Sequence, residues 1–285
     1  MTRLAEIETQ VAGMDDLRDV VGAMRSLAGM RMREAQQTVP GIRRHAEVIA
    51  EAIAGTLSLL PESERRNTVP SRRMLVLCMA EHGFVGGFNE RLAEELDRVG
   101  RPDDMLFVLG TRGAALLFER GRRPAWSHPM PTRSRAAAPT IHALSGELYR
   151  QIARGNAESV AVLFFRGTGG APIAIQQRLI LPFDARSLKE RVPRQPPLHN
   201  LAPDALYERL VAEYIFALLT EAAVESIASE NSARFSAMES AFDNVSRKLE
   251  ALRQDARQAR QSEITTEILE LVTADAALTA ASSRR

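Results

Sequence analysis

The chain has 285 residues, 45% apolar and 26% charged, with a net charge of +1. That fits one large or two ordinary folded domains and gives no charge-based case for nucleic acid or membrane binding. A single cysteine, Cys78, excludes an internal disulfide, and the N-terminus has no apolar signal core, so the expectation is a cytoplasmic protein from a reducing compartment.

Residues 1–60 read as a long helix. Leu4, Ile7, Val11 and Met14 keep 3/4 spacing, and Leu17, Val21, Met24 and Ala28 continue it after one three-residue slip. Gly13, Gly22 and Gly29 each cost about 1 kcal/mol against Ala inside a helix. They imply close approach to a neighbouring helix. Pro40-Gly41 should interrupt the pattern, kinking or re-capping the helix, with a second helical run from Ile42 to Leu60.

Residues 61–71 read as a linker. The stretch 72–200 has a different rhythm. Apolar runs at Met74–Met79, Met105–Leu109 and Val160–Phe165 read as buried strands, and Ile173–Leu181 as the returning strand of a hairpin. Between them, Asn89–Val99, Thr111–Arg120 and Ile141–Arg154 read as helices. Such alternation implies a small α/β domain with a largely parallel sheet. Prolines from Pro193 to Pro203 end it.

From Asp204 to Leu278 there is no proline and no glycine. Phe235, Met238, Phe242, Val245, Leu249, Leu252, Ala256 and Ala259 form an a/d seam. No 18-residue window is free of charge, so this is a coiled coil rather than a membrane span. The first 60 residues supply its antiparallel partner. The fold class is therefore α/β: a long antiparallel coiled coil of the N- and C-terminal helices (1–60 and 203–285) with a small α/β domain (72–200) inserted. The seam loses its spacing after Ala259, giving way to Ile264, Ile268 and Leu271.

Catalytic chemistry finds little support. Gly83, Gly86 and Gly87 lie between a strand and a helix, but G-x-x-G-G is neither a dinucleotide fingerprint nor a phosphate loop. Cys78 sits mid-strand as a buried, inert thiol. The five histidines show no metal-ligand spacing. Acids on the long helices fall outside the seam, where a solvated face is the default. Trp126 is a packing residue in a Pro-rich loop. Arginines on both long helices, among them Arg25, Arg31, Arg33, Arg253, Arg257 and Arg260, either pair with nearby acids such as Glu250 and Asp255 or meet acidic loops on a partner.

Three motifs carry a resemblance across the whole chain. Near the N-terminus stand Ala23-Met24, Leu27-Ala28, Arg33 and Ala35-Gln36; in the centre, Gly83-Phe84-Val85-Gly86-Gly87-Phe88-Asn89. The C-terminal helix holds Ser229-Glu230, Ala233-Arg234, Ala237-Met238, Ala241 and Asn244, then Ala259-Arg260-Gln261, Ile264-Thr265 and Glu267. In these the chain resembles the gamma subunit of F-type ATP synthase, the central rotor shaft. Departures at Asp15-Asp16, Arg31, Val85 and Ala274-Asp275 mark a divergent branch or an alternative ATPase operon.

The resemblance implies a non-catalytic shaft without cofactor or metal. Its coil would stand among the alpha and beta subunits of the catalytic head. Its α/β domain would sit against the epsilon subunit and the c-ring, driven by proton or sodium flow. Its place would be peripheral, on the cytoplasmic side of the bacterial plasma (inner) membrane. It points to Met24, Arg25, Arg260, Gln261, Thr265 and Glu267 as contacts with the head, ordinary coil packing or solvation being the alternative for each. A coiled-coil scaffold or tether with an inserted α/β module, and a small-molecule enzyme built on residues 72–200, are the competing readings.

Overall fold

The computed structural model describes residues 3–57, 59, 72–167, 173–182 and 198–282, with the side chains of 274–282 excepted. The chain forms two compact units: Leu27–Phe235, and Met1–Ser26 with Ser236–Arg285. Two helices run through both, α1 (Arg3–Leu57) and α5 (Pro203–Ser282).

The larger unit is built on a five-stranded sheet of order β3-β2-β1-β4-β5. Its strands are β1 (Arg73–Cys78), β2 (Met105–Leu109), β3 (Trp126–His128), β4 (Ser159–Arg166) and β5 (Ala174–Leu181). The first four run parallel, and β5 returns antiparallel to β4 as the hairpin spacing predicts. Alternation assigns the two faces of β1. Leu75, Leu77 and Met79 pack with Phe88, Leu92 and Leu96 of α2 (Phe88–Val99) and Leu117 of α3 (Thr111–Glu119). Met74, Val76 and Cys78 pack instead with Ile141, Leu144 and Leu148 of α4 (Ala137–Ala153), with Ile215, Leu219 and Ala222 of α5, and with Ala35 and Val39 of α1. Both faces are thus covered, as a parallel sheet requires.

Two expectations change here. β3 escapes a sequence reading because it is three residues long and flanked by prolines. It places Trp126 on the sheet edge, 5.9 Å from Phe107 ring to ring, so its packing role holds but its loop location does not. α4 begins at Ala137 rather than Ile141. Pro139 is tolerated because the first-turn N–H groups have no intrahelical acceptor.

α1 passes through Pro40 without ending, so Pro40-Gly41 does not re-cap it. An interior proline costs about 3 kcal/mol. Burying Val39, Ala46, Ile49 and Ile53 beside it returns about 1.5–3 kcal/mol for each of the larger side chains, so packing outweighs the break. Pro40 and Gln36 both lie on the exposed face, where water can meet the carbonyl left without a donor.

The expected slip in the α1 seam is absent as well. Leu17 is 44% exposed, Val20 56% and Leu27 38%. The inner positions run Leu4, Ile7, Val11, Met14, Arg18, Val21, Arg25, Ala28, Met32 and Ala35 in unbroken 3/4 spacing, none of them exposed. Arg18 and Arg25 stand where apolar residues are expected, their stems along the seam and their heads at its rim. Gly22 lies under the Phe242 ring (an added Cβ would meet it at 3.4 Å), and Gly29 under Phe235 at 3.3 Å. Gly13 has open space, so the close-approach reading holds for two of the three.

Candidate functional site

In an open parallel sheet, ligands bind beyond the carboxyl ends of the strands, where the strand order reverses. Here that place lies between β1 and β4, and α5 fills it. Ser226 Oγ donates to the Cys78 carbonyl at 2.8 Å, and Ser229 Oγ to Phe165 at 3.4 Å. Arg234 reaches the turn after β1, 3.5 Å from the His82 carbonyl and 3.4 Å from Gly83, and pairs with Glu230 at 2.7 Å. Asn89 Oδ1 accepts from the Ala80 N–H at 2.8 Å.

The glycine turn and the Ser229–Arg234 motif are therefore one structure, each satisfying the other's polar groups. The turn needs this support. Phe84 takes φ 60 and Gly86 φ 57; the first is a strained value for a residue with a side chain.

Cys78 is fully buried and its thiol is pushed up to about 12 by desolvation, so it is inert as a nucleophile. Among the described residues, no group of three or more His, Cys, Asp or Glu could hold a metal ion.

Three acids on α5 contradict the expectation of a solvated face. Glu221, Glu225 and Glu230 are 5%, 3% and 6% exposed. Arg43 of α1 bonds both Glu221, at 2.8 Å, and Glu225. Arg178 of β5 adds a 2.7 Å bond to Glu221, and Arg166 of β4 lies 3.6 Å from Glu225. Burial raises the Glu221 pKa, but Arg178 and Arg43 outweigh it and the net direction is down. For Glu225 burial wins over Arg43 and Arg166 and the net direction is up. Burial also raises Glu230, against Arg234 and His82. No periodicity marks these acids, because this stretch of α5 is enclosed on several sides; the only sequence signal is the motif containing Glu230.

The residues that the motifs nominate for partner contact lie in the other unit. There the two helices pair antiparallel, with Met238, Leu249 and Leu252 buried in the seam. Met24 is half-buried. Arg25 pairs with Glu239 at 3.3 Å and stacks over the Phe242 ring at 4.5 Å. Arg260 donates to Glu8 at 2.5 Å across the coil. Arg253 donates to both oxygens of Asp15 at 2.8 and 3.0 Å, and Arg257 pairs with Glu250 within α5 at 3.4 Å. Gln261, Thr265 and Glu267 are exposed; the Thr265 hydroxyl only bonds back to the Gln261 carbonyl at 2.8 Å. Ile264, Ile268 and Leu271 are 50%, 54% and 70% exposed. The seam thus closes at Ala259, and an uncovered face of mixed polarity follows it.

A family model described as ATP synthase matches residues 3–278. The ATP synthase gamma chain of Saccharopolyspora erythraea is 29% identical over 309 residues, covering 99% of this chain and all of that one. The gamma chain of Geobacter metallireducens is 25% identical over 287 residues, covering 95% and 97%. Among solved structures, the Euglena gracilis mitochondrial ATP synthase in rotational state 3 contains a chain with a TM-score of 0.65 at 14% identity, covering 97% of this chain and 95% of that one. A chain of the Tetrahymena thermophila central stalk and c-ring gives 0.57 at 18% identity, with 78% and 99% covered.

Proposed function

The chain belongs to the ATP synthase family, matched over residues 3–278, and from that premise we propose how its parts divide the work. Its role is that of the central-stalk, rotor-shaft subunit, which couples rotation to ATP synthesis or hydrolysis and does no chemistry by itself. The subunit is peripheral, and no helix among the described residues is long and apolar enough to cross a membrane.

In our reading, residues 1–60 and 203–285 form the coil and 72–200 the α/β domain. The coil turns within the alpha and beta subunits of the head. The α/β domain bears on the epsilon subunit and the c-ring, at the cytoplasmic side of a bacterial plasma membrane, with protons or sodium as the driving ion. Arg260, Gln261, Thr265 and Glu267, with Met24 and Arg25, are the contacts with the head. The observation that supports this is the exposed stretch after Ala259. Gln261, Thr265 and Glu267 stand there with exposed Ile264, Ile268 and Leu271, a face that a single chain leaves uncovered.

Replacing Arg260→Ala and Gln261→Ala together should lower gradient-driven ATP synthesis by the assembled complex roughly ten-fold or more. Hydrogen bonds to charged groups are worth about 1.5–3 kcal/mol, and the purified chain should keep its helical content. Wild-type synthesis rates in that variant would remove the contact assignment.

A further inference from the structure

Two ion pairs cross the coil one heptad apart. Glu8 meets Arg260 at 2.5 Å and Asp15 meets Arg253 at 2.8 Å. The acids are seven residues apart on α1, and the arginines seven residues apart on α5 in the opposite direction. Successive pairs of this kind at the rim of a coiled coil set register and orientation rather than bulk stability. A one-heptad slip of α1 toward the C-terminal end of α5 would carry Asp15 to Arg260 and Glu8 to Glu267, two like charges. The small seam residues Ala256 and Ala259 provide little shape to resist that slip at this end of the coil, where the two ion pairs oppose it.

The consequence reaches Arg260. Its side chain is 64% exposed, yet its guanidinium is turned across the coil onto Glu8. Its neighbours Gln261 and Thr265 make no such cross-coil bond in the described structure.

We propose that Glu8 and Asp15 are positioning residues of the head-contact face. Asp15 with Arg253 fixes the register of the two helices below that face. Glu8 fixes the direction of the Arg260 guanidinium within it. The proposal rests on the reading of Arg260, Gln261, Thr265 and Glu267 as that face.

The test uses the assembled complex reconstituted in vesicles, with ATP synthesis driven by an imposed ion gradient and measured across ionic strength. Glu8→Gln should lower synthesis on the order of two- to five-fold, the range open to a partly exposed ion pair. It should also flatten the salt dependence, since the pair it removes is the screened one. Asp15→Arg should lower synthesis further by setting three arginines together, since Arg18 also pairs with Asp15, at 3.1 Å. Adding Arg253→Asp to it should restore the rate, because Arg253 lies outside the contact face. Complex yield should stay constant throughout, so that a changed rate reads coupling and not assembly. Failure of that restoration, or wild-type rate and salt dependence in Glu8→Gln, overturns the proposal. Arg260→Ala in the same assay separates the two readings. If it lowers synthesis while the Glu8 and Asp15 variants do not, the contact face stands and the positioning role falls. If it leaves synthesis unchanged while the Asp15 exchange behaves as expected, the register role stands and the contact reading falls.

Discussion

Two stretches of α5 solve the same problem in opposite ways. Between Glu221 and Arg234 the helix is enclosed, and Glu221, Glu225, Ser226, Ser229, Glu230, Asn231 and Arg234 are all buried. Between Phe242 and Ala259 it is a coiled coil, with Leu249 and Leu252 buried and Asp243, Arg247, Glu250 and Arg257 exposed. The enclosed stretch takes polar groups inside and satisfies most of them within the protein: serines bond strand carbonyls and arginines bond carboxylates, while Glu225 Oε2 makes no hydrogen bond and has Arg166 at 3.6 Å. The coiled stretch leaves its charges at the rim, where water satisfies them. Removing a charge should therefore be expensive in the first stretch and cheap in the second.

The largest break in this contrast is Arg234→Ala. It leaves Glu230 without its 2.7 Å partner and the strained turn at Phe84 without support. The expected cost is about 3–5 kcal/mol, as for one partner of a buried pair, read from chemical denaturation of the full chain. A loss below about 1 kcal/mol would show that the pair is hydrated after all.

Glu230→Gln sharpens the contrast through pH. The folded-state pKa of Glu230 is raised above its unfolded value, first by burial. Its contribution to stability is therefore complete below the unfolded pKa and is lost as pH rises through the folded one. Glutamine does not titrate, so thermal unfolding from acid to neutral pH should favour the variant increasingly over the parent. The slope carries the result, since the altered contact with Arg234 adds a constant offset. A difference independent of pH would mean that the carboxyl titrates alike folded and unfolded.

The smallest effect belongs to Asp15→Asn in the coil. The Asp15 and Arg253 side chains are 30% and 42% exposed, so their pair is worth up to about 1 kcal/mol before screening. The cost should shrink further in high salt. A cost as large as that of Arg234→Ala would erase the distinction between the stretches.

These differences also explain what the sequence made legible. The seam from Phe242 to Ala259 was readable because a two-sided environment imposes a single period. The strands β1, β2 and β4 were readable because burial on both faces makes each a continuous apolar run. The enclosed stretch of α5 carries no such signature: neighbours on several sides leave no polar face for a period to mark. Arg18 and Arg25 hid the unbroken α1 seam, because a residue with an apolar stem and a charged head scores as polar while packing as apolar. A re-cap at Pro40 is what local propensity favours, while the burial that overrules it is tertiary. Of the candidate site, the motifs indicated Arg260 and Gln261, but not that Arg260 is held by Glu8, since a contact across 252 positions leaves no trace in local spacing.

Cys78 has a practical consequence. It is the only thiol in the chain, fully enclosed within β1 and held in its neutral form with a pKa near 12. Maleimides and similar labels react with thiolate and need access to it. The native chain is thus a silent background for single-site labelling. A cysteine introduced at an exposed position such as Gln261 would take a fluorophore with no competing reaction, and no removal of the native cysteine would be required first.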